Sequence, residues 1–140
     1  MGSHDAYGKE LLSRACGNAY AQYGPALEID FGAGHPGRID GVVGDGVAVE
    51  VDSRTAKQVR GAVMDLLCHR LGKKLLLLVP AHMSDVHVTA AQFRNIMGRF
   101  VSSADFRVVV LHGTGDSPSW GTDVSAVRKA LLDLGWNVAG

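Results

Sequence analysis

Three acidic residues, Asp40, Glu50 and Asp52, stand where residue type and spacing permit chemistry. They fall in the stretch GRIDGVVGDGVAVEVD, which spans 37–52. Side chains alternate along a strand, so Glu50 and Asp52 share one face while Val47, Val49 and Val51 take the other. A hairpin closed at Gly44-Asp45-Gly46 brings Asp40 alongside them. Three carboxylates gathered from paired strands repel one another unless a cation lies between them. Hard, all-oxygen sites of this kind suit Mg²⁺ or Mn²⁺. The chemistry indicated is metal-dependent, with phosphodiester hydrolysis the leading class.

The elements that must position these residues follow from periodicity and punctuation. A first helix is expected from about Asp5 to Tyr23, ended by Gly24-Pro25. A strand is expected over Ala26 to Phe31, where Leu27, Ile29 and Phe31 alternate with Glu28 and Asp30. After a loop over 32–37 comes the hairpin, Arg38 to Val43 and Val47 to Asp52. Thr55 to Leu71 reads as a second helix with Val59, Val63, Leu66 and Leu67 inward and Lys57, Gly61, Asp65 and Cys68 outward. Lys74 to Val79 is apolar enough to be a central strand covered on both faces. Thr89 and Gln92 suggest a capping box for a third helix. Arg107 to Leu111 is a fifth strand, and a last helix starts near Thr122 and stops at Gly135. The order α-β-β-β-α-β-α-β-α implies an α/β fold, a mixed sheet flanked by helices.

Composition narrows the partners. The 140 residues suit one domain, and 46% hydrophobic with 20% charged content is that of an ordinary globular chain. No apolar run is long enough to span a membrane, and no signal peptide is read. The opening Met1 to His4 resembles an expression-vector remnant, leaving 5–140 as the domain. Cys16 and Cys68 are expected to be small core residues in a reducing cytoplasm, since neither has zinc-ligand spacing. With 14 basic and 14 acidic residues the net charge is zero, which weighs against strong non-specific DNA binding but leaves room for a local basic groove.

Taken with these residues, the element order resembles the core of the PD-(D/E)XK nuclease superfamily, the restriction endonuclease-like group, from about Lys9 to Pro80. The resemblance implies that Asp40, in Arg38-Ile39-Asp40-Gly41, and Glu50, in Val49-Glu50-Val51-Asp52, hold Mg²⁺ or Mn²⁺. It places Glu10 of the first helix as a further ligand and Gln58 as the polar residue early in the next helix. Ile39 replaces the family's proline. Asp52 occupies the position of the family's lysine, where a carboxylate would hold a second metal or accept a proton from water. A migrated basic residue is the other possibility, and among Arg54, Lys57 and Arg60 the first choice is Lys57. Arg38, Arg54 and Arg60 are candidates for phosphate contact.

Each residue also has an ordinary structural reading. Asp40 suits a turn beside Gly41, Asp52 suits a cap for the helix near Thr55, and Glu10, Lys57, Gln58 and Arg60 suit solvated helix faces. His35, His69, His82, His87 and His112 are scattered without ligand spacing. Gly113 to Ser117 lacks the Gly-Lys-Ser/Thr of a phosphate loop. Three functions are thus expected in order. The first is a cytoplasmic, metal-dependent endonuclease acting on DNA, with a homodimer open to it. The second is a nuclease-like module that binds nucleic acid or protein without cutting. The third is a small-molecule domain using the loops after Pro80 and Gly113.

Overall fold

Why the carboxylates meet follows from the order of the strands. In a computed structural model that describes residues 3–32 and 34–136, the chain runs α1 (Ser3–Cys16), β1 (Tyr20–Ala21), β2 (Glu28–Ile29), β3 (Gly37–Arg38), β4 (Gly41–Val43), β5 (Val47–Asp52), α2 (Ala56–Cys68), β6 (Lys73–Leu78), α3 (Val86–Met97), β7 (Phe106–Val110) and α4 (Trp120–Asp133). Met1 and Gly2 of the expected remnant and Ala33 of the expected loop lie outside the described residues. Five strands make one mixed sheet in the order β1-β4-β5-β6-β7. Strands β1, β4 and β5 are antiparallel in turn, whereas β5, β6 and β7 run parallel. Each parallel step needs a crossover, which α2 and α3 supply.

Two apolar layers cover the sheet. Leu11 and Leu12 of α1 and Val127 and Leu131 of α4 pack on Val49, Val51, Leu75 and Leu77. Val59 and Leu66 of α2 and Phe93 and Met97 of α3 pack on Ala48, Leu76 and Leu78. The alternation in β5 therefore sends its valines to the α1/α4 side and Ala48, Glu50 and Asp52 to the α2/α3 side. Helix α1 comes unusually close to the sheet at Gly8, where a Cβ would stand 2.3 Å from Val51 Cγ1. No helix among the described residues is long and apolar enough to cross a membrane.

The α/β class and the flanked mixed sheet match the sequence reading, but several elements differ. Helix α1 ends at Cys16 rather than near Tyr23, because Gly17 adopts φ 58° and turns the chain out of the helix. That release frees Tyr20–Ala21 to pair with β4 as the sheet edge. The strand expected over Ala26–Phe31 is a 3₁₀ turn at Pro25–Leu27 followed by two residues of β2, which pair with β3 outside the main sheet. Helix α3 starts at Val86, where Asp85 accepts the Val88 N–H as N-cap, so Thr89 lies inside the helix and caps nothing. Cys68 is exposed instead of forming part of the core, and His4 belongs to α1.

Candidate functional site

The β4–β5 register pairs Gly41 with Val49, so one step further Asp40 stands opposite Glu50. Two hydrogen bonds fasten the pair where the ladder ends. The Asp40 N–H donates to Glu50 Oε1 at 3.0 Å, and the Val51 N–H donates to Asp40 Oδ2 at 2.7 Å. Glu50 is only 6% exposed. Its burial, reinforced by the charge of Asp40, pushes its pKa up to about 9, so it holds a proton at neutral pH. Burial also raises Asp40, against the pull of the Val51 N–H and of the Lys9 ammonium. Asp65 of α2 is raised in turn, first by burial and then by Asp40. Asp40, Glu50 and Asp65 thus form an acidic region in which burial outweighs the pull of Lys9 on Asp40 and of Arg54 on Asp65. Among the described residues no three His, Cys, Asp or Glu side chains converge closely enough to share one cation.

Asp52 is held differently. It is 1% exposed and accepts a fork from Arg54, Nε to Oδ1 at 2.9 Å and Nη2 to Oδ2 at 2.5 Å, besides the Arg54 N–H at 2.9 Å. Both carboxylate oxygens are occupied by one guanidinium two residues away. The cap of α2 is Thr55 and not Asp52: the Thr55 N–H and Oγ1 both donate to the Gln58 side-chain carbonyl at 3.2 Å. Gln58 therefore closes the first turn of α2.

The other candidates spread over the surface. Glu10 is exposed and pairs with Arg14 at 3.2 Å, on the side of α1 where Arg14 covers the Trp120 ring. Lys57 and Arg60 are exposed on α2, and Arg38 is exposed on β3 opposite Glu28. Arg54 alone among the basic candidates touches an acidic candidate.

Residues that the sequence reading passed over line the site instead. Asp5 accepts from Ser53 Oγ at 3.3 Å, and Lys9, one turn later on α1, acts on Asp40. The i,i+4 spacing of Asp5 and Lys9 was the available signal, with Gly8 between them marking the close approach to β5. Asp65, expected on the outer side of α2, instead faces the acidic pair closely enough for Asp40 to raise it. Tyr20 is 8% exposed and lays its ring over Gly41, where a Cβ would come within 2.4 Å of it. Among the described residues its hydroxyl has no hydrogen-bond partner, and burial together with the nearby Asp40 raises its pKa.

The two remaining loops have structural explanations. Asp123, fully buried, accepts from the Tyr7 hydroxyl at 2.5 Å and from the His112 and Gly113 N–H groups at 2.8 and 2.9 Å. The Tyr7 oxygen in turn accepts the Ser119 N–H at 2.9 Å, and burial with the Asp123 bond pushes its pKa up to about 12. This clamp ties the Gly113–Ser117 loop to α1 and α4. The hollow beyond β6 and β7, bordered by Pro80, His87 and His112, measures about 260 Å³. That is below the usual size of a small-molecule pocket.

Compared with protein-family models, curated proteins and solved structures, the chain matches none of them.

Proposed function

We propose that this chain is a Mg²⁺- or Mn²⁺-dependent nuclease that hydrolyses DNA phosphodiester bonds at Asp40 and Glu50. The observation that carries the reading is this pair itself, two carboxyl groups at opposed positions of a sheet end, each accepting a backbone N–H of the other strand and each with raised proton affinity. A carboxyl pair that retains a proton because it is buried and set beside further acids is one that a cation relieves. The donor set fits Mg²⁺, which keeps several of its waters and needs only one or two protein carboxylates. Such an ion, when bound, would supply charge for the phosphate and a water of lowered pKa.

The chain's own groups have definable parts in this reading. Asp40 and Glu50 would hold the ion, Glu50 in its ionised form. Lys9, beside Asp40, is better placed than Lys57 to balance charge on a phosphate. Arg54 locks Asp52 and keeps half of its own side chain exposed, free to meet a phosphate oxygen.

A second reading rests on Asp52. The position of the family's lysine holds a carboxylate whose oxygens are both taken by Arg54, which favours a nuclease-like module that binds without cutting. Cleavage of a DNA panel (supercoiled, linear, single-stranded and branched) in Mn²⁺ separates the two, with Glu50→Ala purified alongside. Metal-dependent cutting lost in the variant supports the nuclease. Manganese binding that the variant loses, without turnover of any DNA, supports the module. Cutting that survives in Glu50→Ala refutes the assignment of the site.

A further inference from the structure

Helix α2 has two flanks with opposite chemistry. One carries Asp65 toward the carboxylates, and the other meets α3 across an open furrow. The furrow is a hollow of about 470 Å³ between the helices, floored by Val63, Leu67 and Phe93 and walled by Met64, Ile96 and Phe100. Met64 is 61% exposed and Phe100 72%. Two large apolar side chains standing open around one apolar hollow form a contiguous patch of the kind that marks an interaction surface. Methionine at such a place adapts its shape to what it meets.

The rim decides what fits. Arg60 borders this hollow, and Arg99 borders the adjoining one. Lys57 is exposed one turn before Arg60 on α2. Among the described residues none of these three cations is in an ion pair. The sole carboxylate on either helix is Asp65, which lies on the opposite flank under the influence of Asp40. The furrow is therefore apolar, with cations on the side where Arg60 and Arg99 share the adjoining hollow.

We infer that the α2–α3 furrow is a docking groove for an acidic amphipathic helix of a partner protein. A helix laid between two others presents apolar side chains at i, i+3/i+4 and i+7 to the floor, and its flanking carboxylates meet Arg60 and Arg99. A second copy of this chain is a poorer occupant, because a two-fold axis would set each cationic rim against its own image. Nucleic acid would satisfy the arginines but leave Met64, Leu67 and Phe100 without an apolar partner.

The test uses a fluorescein-labelled helical peptide of about four turns, with leucines on the groove-facing side and glutamates on the flanks. A matched peptide carries lysines in place of the glutamates. Fluorescence anisotropy at low salt is expected to show the acidic peptide binding at least about tenfold more tightly than the basic one. Phe100→Ser and Met64→Ser, both at exposed positions and checked by thermal melts, are each expected to weaken it about tenfold. Arg60→Glu combined with Arg99→Glu is expected to reverse the preference. A bromoacetyl group on the acidic peptide is expected to alkylate Cys68, at the groove edge, and to spare Cys16, whose thiol burial pushes up to about 11. Equal affinity for both peptides, undiminished binding to Phe100→Ser, or alkylation of Cys16 alone overturns the inference. So does dimerisation of the free protein that Met64→Ser abolishes, which gives the face to a second copy. Binding of a DNA oligonucleotide that Phe100→Ser abolishes overturns it in favour of nucleic acid.

Discussion

Replacing Glu50 with glutamine tests the site through stability alone. The glutamine carbonyl still accepts the Asp40 N–H, while the group loses its charge at every pH. In the folded chain Glu50 titrates at about 9, against 4.5 for the free side chain. Between those values the native state holds a proton that the unfolded chain has released. The wild type is therefore most stable, as far as this group is concerned, below about pH 4.5, and the contribution is lost as pH rises toward 9. Each pH unit in that window costs about 1.4 kcal/mol, so raising the pH by two units within it costs about 3 kcal/mol. For a chain of this size that is a fall of roughly 10 °C in Tm. Asp40 and Asp65 are raised as well and tilt both proteins alike, so the difference between the two profiles isolates Glu50. Thermal or urea melts of both proteins in steps from pH 5.5 to 7.5 should diverge by about 3 kcal/mol, glutamine gaining with pH. Parallel profiles would refute the claim that Glu50 is buried with its proton.

Manganese binding near pH 7 should expel close to one proton, because Glu50 must ionise to bind; titration calorimetry in two buffers of different ionisation enthalpy reads this as a buffer-dependent heat. Equal heats would rule Glu50 out as a ligand. Arg54→Ala should cost about 2 kcal/mol by leaving Asp52 buried and uncompensated, and adding Asp52→Asn should recover part of the loss in urea melts. If Arg54→Ala is neutral, the fork does not hold Asp52. Gly8→Ala should destabilise by about 1–3 kcal/mol despite its helical position, since the new methyl meets Val51. The rise in stability that alanine gives in an open helix would mean that α1 does not touch β5 there.

Periodicity and turn chemistry are local, and what depends on them was legible. The alternation Val47, Val49, Val51 against Ala48, Glu50, Asp52 marks β5 and its two faces, and the unbroken apolar run marks β6 as a covered interior strand. The apolar spacing of Val59, Val63 and Leu66 marks the inward side of α2. Gly44-Asp45-Gly46 closes the hairpin, with Gly44 at φ 57°, and so brings Asp40 toward the acids of β5 before any long-range contact is known.

Elements of two or three residues carry too little pattern to be seen. Strand β1 exists because β4 offers it a partner, and β2–β3 because the chain doubles back over residues 28–38. The facing of α1 was beyond local reasoning for a different cause. One residue along a helix turns a side chain by about 100°, so Glu10 and Lys9 occupy different surfaces, and only the position of the sheet says which is the site. Glu10 turns to Arg14, while Asp5 accepts from Ser53 and the charge of Lys9 reaches Asp40.

The class of fold, its two central strands and the approach of Asp40 to the acids of β5 rest on backbone period and one tight turn, and so can be read along the chain. Which of those acids Asp40 meets, and which charges surround the pair, is set by the packing of the helices on the sheet. The Arg54 fork on Asp52, the approach of Asp65, the buried Tyr20 hydroxyl and the burial that keeps Glu50 protonated depend on how helices come down on a sheet. Desolvation and Coulomb forces act through space, and spacing along the chain does not record them.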